Sequence, residues 1–204
     1  MPRVSLSATH SAYMSDLGQL RRYINGSAGM EAKYQYLIAE VVMLRLFAIL
    51  EHGIRDVALK LACGAVYNNG RAPTILLPCR SMDDAANKML TRRPRSDRLP
   101  YLKWTKDDLV EKSIRYVLDI RDTFFVNIQN NAILLNEMRI VRNEIAHRTR
   151  GTRNQYVLEL QRIYGVHTNL PMGPFLTSTS RHALSNIERY ILSTPIMLND
   201  LIRG

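Results

Sequence analysis

The feature that most constrains the fold of this chain is a run of apolar residues at helical spacing between Met30 and Cys63. Apolar side chains recur there every three or four positions, a period that puts them on one face of a helix. Gly64 follows directly, which is a common place for a helix to end. The sequence therefore predicts one long helix, in which Gly53 allows a bend. Its predicted buried face consists of Leu37, Val41, Leu44, Ala48, Ile54, Ala58 and Leu61.

The rest of the chain is also patterned for helices. Residues 64–79 contain Gly, Asn and Pro and predict a loop with at most a short extended piece. Neither a repeat, nor a strand-rich block, nor an alternation of strands and helices is present, so the predicted class is all-α, a helical bundle. Further helices are predicted at residues 82–90, 107–129, 132–147, 155–164 and 180–202.

The length and composition of the chain suit one domain. A chain of 204 residues, 46% of them hydrophobic, can bury a sizeable core, and no linker divides it. We predict a single domain over residues 1–204, with residues 1–29 as an N-terminal extension. Two loops are predicted in it, a basic, exposed and mobile loop at residues 92–100 and a loop at residues 165–178 before the C-terminal helix.

The charge balance predicts an anionic partner. Lys and Arg total 28 against 18 for Asp and Glu, which gives a formal net charge of +10 and a pI of about 9.9. This excess favours nucleic acid as the partner, with an anionic membrane surface second and plain solubility as the alternative explanation. Much of the excess is arginine, whose planar guanidinium suits bidentate phosphate contacts.

The cysteines and the most apolar segment indicate the compartment. Cys63 and Cys79 have no CxxC spacing, so neither a disulfide framework nor a thiolate metal site is predicted. The first residues contain no apolar signal-peptide core, and the most apolar stretch, residues 36–50, is interrupted by Glu40 and Arg45. We expect a cytoplasmic protein that does not cross a membrane. The isolated histidines show no HExxH spacing, so no metal or cofactor is expected.

The segment EMRIVRNEIAHRTR contains an unusual polar pattern, R-N-x-x-x-H. On a continuous helix Arg139, Asn143 and His147 lie four residues apart and share a face, and Arg150 follows three residues later. Arg142 lies about 140° from His147 around such a helix. The two side chains can therefore meet only where the helix ends or where a second copy of the chain supplies the complement. We expect a site at a helix end or across a dimer axis.

Such a stripe suits cleavage of RNA without a metal. A histidine can take a proton from a ribose 2′-OH or give one to the leaving oxygen near neutral pH. An arginine can bind the phosphate and stabilise the negative charge that grows on its oxygens. The amide of Asn143 can fix the imidazole tautomer or contact the substrate. The alternative interpretation is structural: a histidine that interacts with the helix dipole, and an ordinary surface pair between Glu144 and Arg148.

The segment V-R-N-E-I-A-H, residues 141–147, resembles the R-x4-6-H signature of the HEPN superfamily, the higher eukaryote and prokaryote nucleotide-binding domains. Asn143 matches the polar residue that often follows the arginine of that signature. The helix predicted over residues 44–62 is similar to the early HEPN helix that packs against the motif helix. The resemblance covers the chain from roughly Met30 to the C-terminal helix.

This resemblance implies a HEPN-like helical bundle that acts as a metal-independent endoribonuclease. Arg142 and His147 are then the catalytic pair, with Asn143 as the supporting polar residue. The resemblance also implies a homodimer whose two motifs face each other across one cleft. From the chemistry of the histidine and the arginine, the expected products end in a 2′,3′-cyclic phosphate and a 5′-hydroxyl. Many HEPN proteins act in toxin–antitoxin or antiviral defence systems, so an antitoxin or another defence protein is an expected partner.

Spacing and charge add three arginines to that pair. We predict that Arg139, Arg148 and Arg150 bind RNA through its phosphates. Two other functions stay open at this point. The chain can be a non-catalytic HEPN module that binds nucleic acid or a partner protein. It can also be a basic helical DNA-binding protein, which is disfavoured because no helix-turn-helix layout is evident.

Overall fold

The computed structural model describes residues 5–180 and 182–204, and over these residues the regular structure is helical. The all-α class predicted from the sequence is confirmed. None of the helices in this part of the chain combines the length and the apolar character needed to span a lipid bilayer. The helices are α1 Leu6–Ser27, α2 Ala32–Ala62, α3 Met82–Thr91, α4 Asp107–Ile114, α5 Thr123–Asn130, α6 Ala132–His147, α7 Arg150–Tyr164, α8 Met172–Thr177 and α9 Asn186–Arg203.

The described residues form two compact units. The first unit consists of residues 5–14, 50–135 and 196–204. The second consists of residues 15–49 and of residues 136–195, apart from the undescribed Arg181. The single domain expected from the sequence stays a prediction.

The first unit is organised around the buried carboxylate of Asp122, which is 2% exposed. Its Oδ1 accepts the N–H of Phe124 over 3.0 Å and caps α5, and its Oδ2 accepts the N–H of Thr74 over 2.7 Å. The hydroxyl of Tyr67 donates to Oδ1 as well. Burial, with Asp122 beside it, raises the pKa of Tyr67, so the hydroxyl stays a donor at neutral pH. The buried charge is therefore stabilised by three donors.

The helix predicted from residue 107 to residue 129 is two helices, and the prediction of one is wrong. α4 ends at Ile114, and α5 begins at Thr123. Between them, the N–H groups of Leu76 and Leu77 donate to the carbonyl oxygen of Val117 over 2.9 and 3.2 Å. The predicted helix is interrupted because this carbonyl oxygen accepts hydrogen bonds from the loop before α3 instead of from the next helical turn.

The second unit holds the motif helix α6 through the buried carboxylate of Glu137, which is 4% exposed. Arg162 on α7 donates to Glu137 over 2.8 Å, and Arg189 on α9 also pairs with it. The hydroxyl of Tyr190 donates to the same carboxylate over 2.6 Å. A buried carboxylate without these partners would strongly destabilise the fold. Because the partners lie on α7 and α9, the cluster fixes α6 relative to both helices within this unit.

The predicted buried face of α2 is correct only in the second half of the helix. Ile54, Ala58 and Leu61 are buried, whereas Leu37 and Val41 are 59% and 56% exposed. Residues 36–50 are apolar on almost every side, so periodicity alone cannot select the face that is buried. The side chains buried in the first half are instead Ala39, Val42, Met43, Leu46, Phe47 and Ile49.

The structure contains two helices that the sequence pattern did not predict. α1 occupies most of the predicted N-terminal extension and buries Leu17 and Leu20. Residues 1–4 of that extension lie outside the described residues. α8 lies inside the predicted loop at residues 165–178. Both segments are patterned too weakly to be recognised, but each buries apolar side chains in the folded chain.

The basic loop at residues 92–100 is anchored by Arg93. Its guanidinium donates to the carbonyl oxygens of Met89, Asp97 and Lys112 over 2.8, 3.1 and 2.8 Å. A short 3₁₀ turn spans Arg95–Asp97. The predicted exposure of the loop is confirmed for its other arginines, while its mobility stays a prediction. These exposed residues are Arg92, Arg95 and Arg98.

Candidate functional site

The second half of α6 carries the polar motif, with Arg139, Asn143 and His147 along one face and Arg142 beside that face. Arg139, Arg142 and Asn143 are half-buried, and His147 in the last turn is exposed. Glu144, three residues before His147, is buried. The four-residue spacing therefore produces a polar stripe that solvent, and so a substrate, can reach.

Two contacts orient the guanidinium of Arg142. Its Nη1 donates to Oδ1 of Asn143 over 2.9 Å. The guanidinium carbon lies 5.8 Å from the centre of the Phe47 ring, within the range of a cation–π interaction. Asn143 thus contacts Arg142, whereas the spacing predicts a contact with the imidazole or the substrate. Sequence reasoning missed Phe47, whose position on α2 carries no motif.

Arg139 lies one turn before Asn143 on the stripe. Its Nη2 donates to Oδ1 of Asn136 over 2.9 Å. Its Nε is buried and has no hydrogen-bond partner among the described residues. Arg139 is thus bound from one side only, and its predicted contact with RNA stays a prediction.

The stripe ends with α6 because the backbone turns sharply after His147. Arg148 has a φ of 47°, a left-handed conformation that residues other than glycine rarely adopt. Thr149 then caps α7: its Oγ1 accepts the N–H of Thr152 over 3.2 Å, and Thr152 Oγ1 accepts the N–H of Thr149 over 3.0 Å. Arg150 is therefore the first residue of α7 and does not continue the stripe. Its predicted contact with RNA stays a prediction.

The pair expected between Glu144 and Arg148 is wrong. Arg148 Nη2 donates to Oε2 of Glu40 on α2 over 2.8 Å. Glu144 Oε2 instead accepts the hydroxyl of Thr152 over 2.7 Å. Glu144 Oε1 lies 3.7 Å from Nη1 of Arg153. The four-residue spacing fails because the helix has already ended when the chain reaches Arg148.

A cavity of about 370 Å³ opens beside this helix end. Its charged groups are two carboxylates and two guanidiniums, those of Glu40, Glu144, Arg148 and Arg153. No sequence pattern predicts this cavity, because its residues come from α2, α6, α7 and the segment around α8. The other residues that line it are Tyr36, Ile145, Pro171, Met172, Gly173 and Pro174.

The comparisons with known proteins identify no relative of this chain. No family model, curated protein or solved structure matches it. Within the described part of the chain, no group of three or more His, Cys, Asp and Glu side chains is arranged to hold a metal ion.

Proposed function

We propose that this chain is a metal-independent endoribonuclease of the HEPN type. The observation that carries the proposal is the placement of Arg142 and His147 at the solvent-accessible end of one helix, with the guanidinium of Arg142 oriented by Asn143 and Phe47. An oriented guanidinium is a preorganised donor for phosphate oxygens, and such a donor lowers a reaction barrier by roughly 3 kcal/mol in comparable sites.

In the proposed reaction, His147 takes the proton of a ribose 2′-OH. The 2′-oxygen then bonds to the adjacent phosphorus, and the bond between phosphorus and the 5′-oxygen breaks. A protonated His147 from a second copy gives a proton to the leaving 5′-oxygen. Arg142 stabilises the charge on the non-bridging oxygens during the transfer. The products are a 2′,3′-cyclic phosphate and a 5′-hydroxyl.

The proposal includes a homodimer. Arg142 and His147 are separated by about 140° around α6 and by about 7.5 Å along it. One helix therefore presents them in different directions, and a second copy can supply the missing group at each phosphate. An exposed apolar patch in the second unit is suited to this contact, since such patches commonly mark protein interfaces. The patch consists of Tyr23, Met30, Leu37 and Val41.

Further elements of the proposal rest on the resemblance and on the cysteines. We propose a HEPN-like arrangement of the helices, and an effector of a toxin–antitoxin or antiviral defence system with an antitoxin or other defence protein as partner. We place the protein in the cytoplasm, which is supported by the free thiols of Cys63 and Cys79.

The second candidate function is a non-catalytic module that binds nucleic acid or a protein. It is favoured by one observation: several polar side chains of the motif already have partners in the same chain. Arg139 is bound to Asn136, and Arg148 to Glu40. Under this alternative the motif mainly stabilises the fold. Loss of His147 would then change binding of nucleic acid or protein only as far as it changes the amount of folded protein.

The deciding experiment compares the wild type with His147→Ala on total RNA in the presence of EDTA. His167→Ala is the matched control, because His167 is also exposed but lies after α7, outside the motif. We expect the wild type and the control to cleave RNA and to leave cyclic-phosphate ends. His147→Ala should not cleave RNA. Cleavage by His147→Ala at the wild-type rate would exclude His147 as catalyst. Equal RNA binding without cleavage by any of the three would favour the binding module.

A further inference from the structure

The cavity beside α6 adjoins the proposed catalytic residues along the chain. Ile145 and Arg148, which line it, flank His147 in sequence. Arg148 directly follows His147, so their Cα atoms are only about 3.8 Å apart. A nucleotide next to the cleaved phosphate can therefore reach the cavity.

The charges that line the cavity argue against a phosphate as its ligand. Glu40 and Glu144 contribute two negative charges, and Arg148 and Arg153 contribute two positive charges. The lining is thus formally neutral, although the chain has a net charge of +10. A phosphate that entered would meet two carboxylates as well as two guanidiniums, so this lining offers it no net electrostatic attraction. A neutral ligand that offers both hydrogen-bond donors and acceptors matches this lining better.

The remaining walls suit a flat ligand. Tyr36, Pro171 and Pro174 offer an aromatic ring and two rigid apolar rings. A Cβ at Gly173 would overlap the side chain of Tyr36, so glycine at this position lets the tyrosine pack closely against α8. Proteins that recognise single-stranded RNA commonly stack its bases on such side chains and bind the base edges with polar groups.

Among the four bases, guanine fits the available polar groups best. Its Watson–Crick edge presents two adjacent donors, N1–H and the 2-amino group, and a carboxylate can accept both. Its O6 and N7 are acceptors that an arginine commonly binds. Both carboxylates already have a partner: Glu144 is bound by the hydroxyl of Thr152, and Glu40 by Arg148 over 2.8 Å. Glu40 suits the role better, because Glu144 is buried, whereas the side chain of Arg148 is 71% exposed and a ligand can compete with it for Glu40.

We propose that this cavity binds a guanine base of the RNA substrate, with Glu40 as the residue that selects it. The inference rests on the proposed ribonuclease function for its choice of RNA, but guanine binding can be measured without cleavage. If it is correct, the enzyme cuts RNA at a fixed distance from guanines.

The first test uses the full chain with His147→Ala, which keeps the cavity residues, and measures binding of nucleoside 5′-monophosphates by calorimetry. We expect guanosine monophosphate to bind at least about tenfold more tightly than the adenosine, cytidine and uridine monophosphates, as for a good bidentate contact. Inosine monophosphate lacks the 2-amino group and should lose much of that advantage. Equal binding of all five nucleotides overturns the proposal, and this comparison needs no change in the cavity.

The second test adds Glu40→Gln to the same chain. The amide keeps the size of the side chain but presents only one acceptor, so the preference for guanosine monophosphate should disappear. Glu31→Gln is the matched control, because Glu31 is an exposed carboxylate paired with Lys33 outside the cavity. A guanine preference that survives Glu40→Gln in folded protein overturns the role of Glu40.

The third test separates RNA from a free guanine nucleotide as the source of the base. In wild-type digests, guanine should be enriched at one position next to the cut, and Glu40→Gln should remove the enrichment. Cleavage without such enrichment refutes the inference and leaves the ribonuclease proposal standing. Guanine binding without any cleavage by the wild type refutes the ribonuclease proposal, and RNA that then fails to compete with guanosine monophosphate assigns the cavity to a free guanine nucleotide.

Discussion

Asn143 contacts the guanidinium of Arg142, the group that we propose to bind the phosphate. It follows Arg142 directly, and its carbonyl oxygen accepts from the guanidinium over 2.9 Å, while the ring of Phe47 lies against the same group. A half-buried arginine that is held in one orientation loses less freedom when it binds a phosphate. We therefore interpret Asn143 as a positioning residue for Arg142.

Asn143→Ala should lower the rate of RNA cleavage about tenfold, because a hydrogen bond to a charged group contributes about 1.5 kcal/mol. The free energy of unfolding should fall by no more than about 1.5 kcal/mol, the contribution of the same hydrogen bond, since the side chain is half-buried on the surface of α6. A double-mutant cycle with Arg142→Lys tests the mechanism. If Asn143 acts through Arg142, its loss should matter much less in the Arg142→Lys background, and fully additive effects would contradict that role.

Arg148 stores backbone strain at the end of α6, since its φ is 47°. A left-handed conformation costs an L-residue about 1 kcal/mol and costs glycine almost nothing. Arg148→Gly should therefore be more stable than Arg148→Ala by about 1 kcal/mol in urea denaturation. Both variants lose the contact with Glu40, so their difference isolates the backbone. An alanine variant as stable as the glycine variant would show that this turn is not strained.

At the scale of elements, buried carboxylates decide where helices begin and how they are held. Glu137 joins α6 to Arg162 on α7 and to Arg189 on α9. Asp122 caps α5 and also binds the loop that contains Thr74. In both cases the carboxylate satisfies several donors at once, which is how a buried charge is tolerated in a folded protein.

Asp122→Ala should lower the free energy of unfolding by about 3 kcal/mol, because it leaves three donors without their acceptor. The matched control is Asp107→Ala, since Asp107 lies in the first turn of α4 but the cap of that helix has no side-chain hydrogen bond. Urea denaturation followed by circular dichroism measures both. A loss for Asp122→Ala no larger than that of the control would refute the role of Asp122 as the hub of the first unit.

At the scale of the whole molecule, the exposed residues of α2 complement the geometry of the motif. Leu37 and Val41 belong to the stripe that the sequence predicted to be buried, yet more than half of each is exposed. The same helix carries Phe47, which lies against Arg142. We propose that this apolar patch is covered by a second copy of the chain, which would bring two motifs to one RNA.

Light scattering tests this assembly. The wild type should have about twice the 23.4 kDa mass of one chain, whereas Leu37→Glu and Val41→Glu should be monomers that no longer cleave RNA. Their melting temperatures should stay near that of the wild type, because both positions are exposed. Leu158→Glu, at an apolar side chain of α7 that is 65% exposed, is the control and should remain a dimer. A wild type that is monomeric at micromolar concentration would contradict a site to which two copies of the chain contribute.

The sequence by itself determined the all-α class and the bounds of several helices. The predicted helix at residues 132–147 matches α6, and those predicted at residues 30–63 and 82–90 match α2 and α3 closely. These properties are local: apolar spacing and the residues that end a helix act within a few turns. The common face of Arg139, Asn143 and His147 on α6 is also predictable from their four-residue spacing alone.

Only the tertiary structure decided how these elements use their side chains. It interrupted the predicted helix after Ile114, buried the opposite side of the first half of α2, and paired Arg148 with Glu40 in place of Glu144. It also assembled the cavity from four separate parts of the chain. Periodicity cannot specify such contacts, because they join residues far apart in sequence, and their energies depend on which groups the fold brings together.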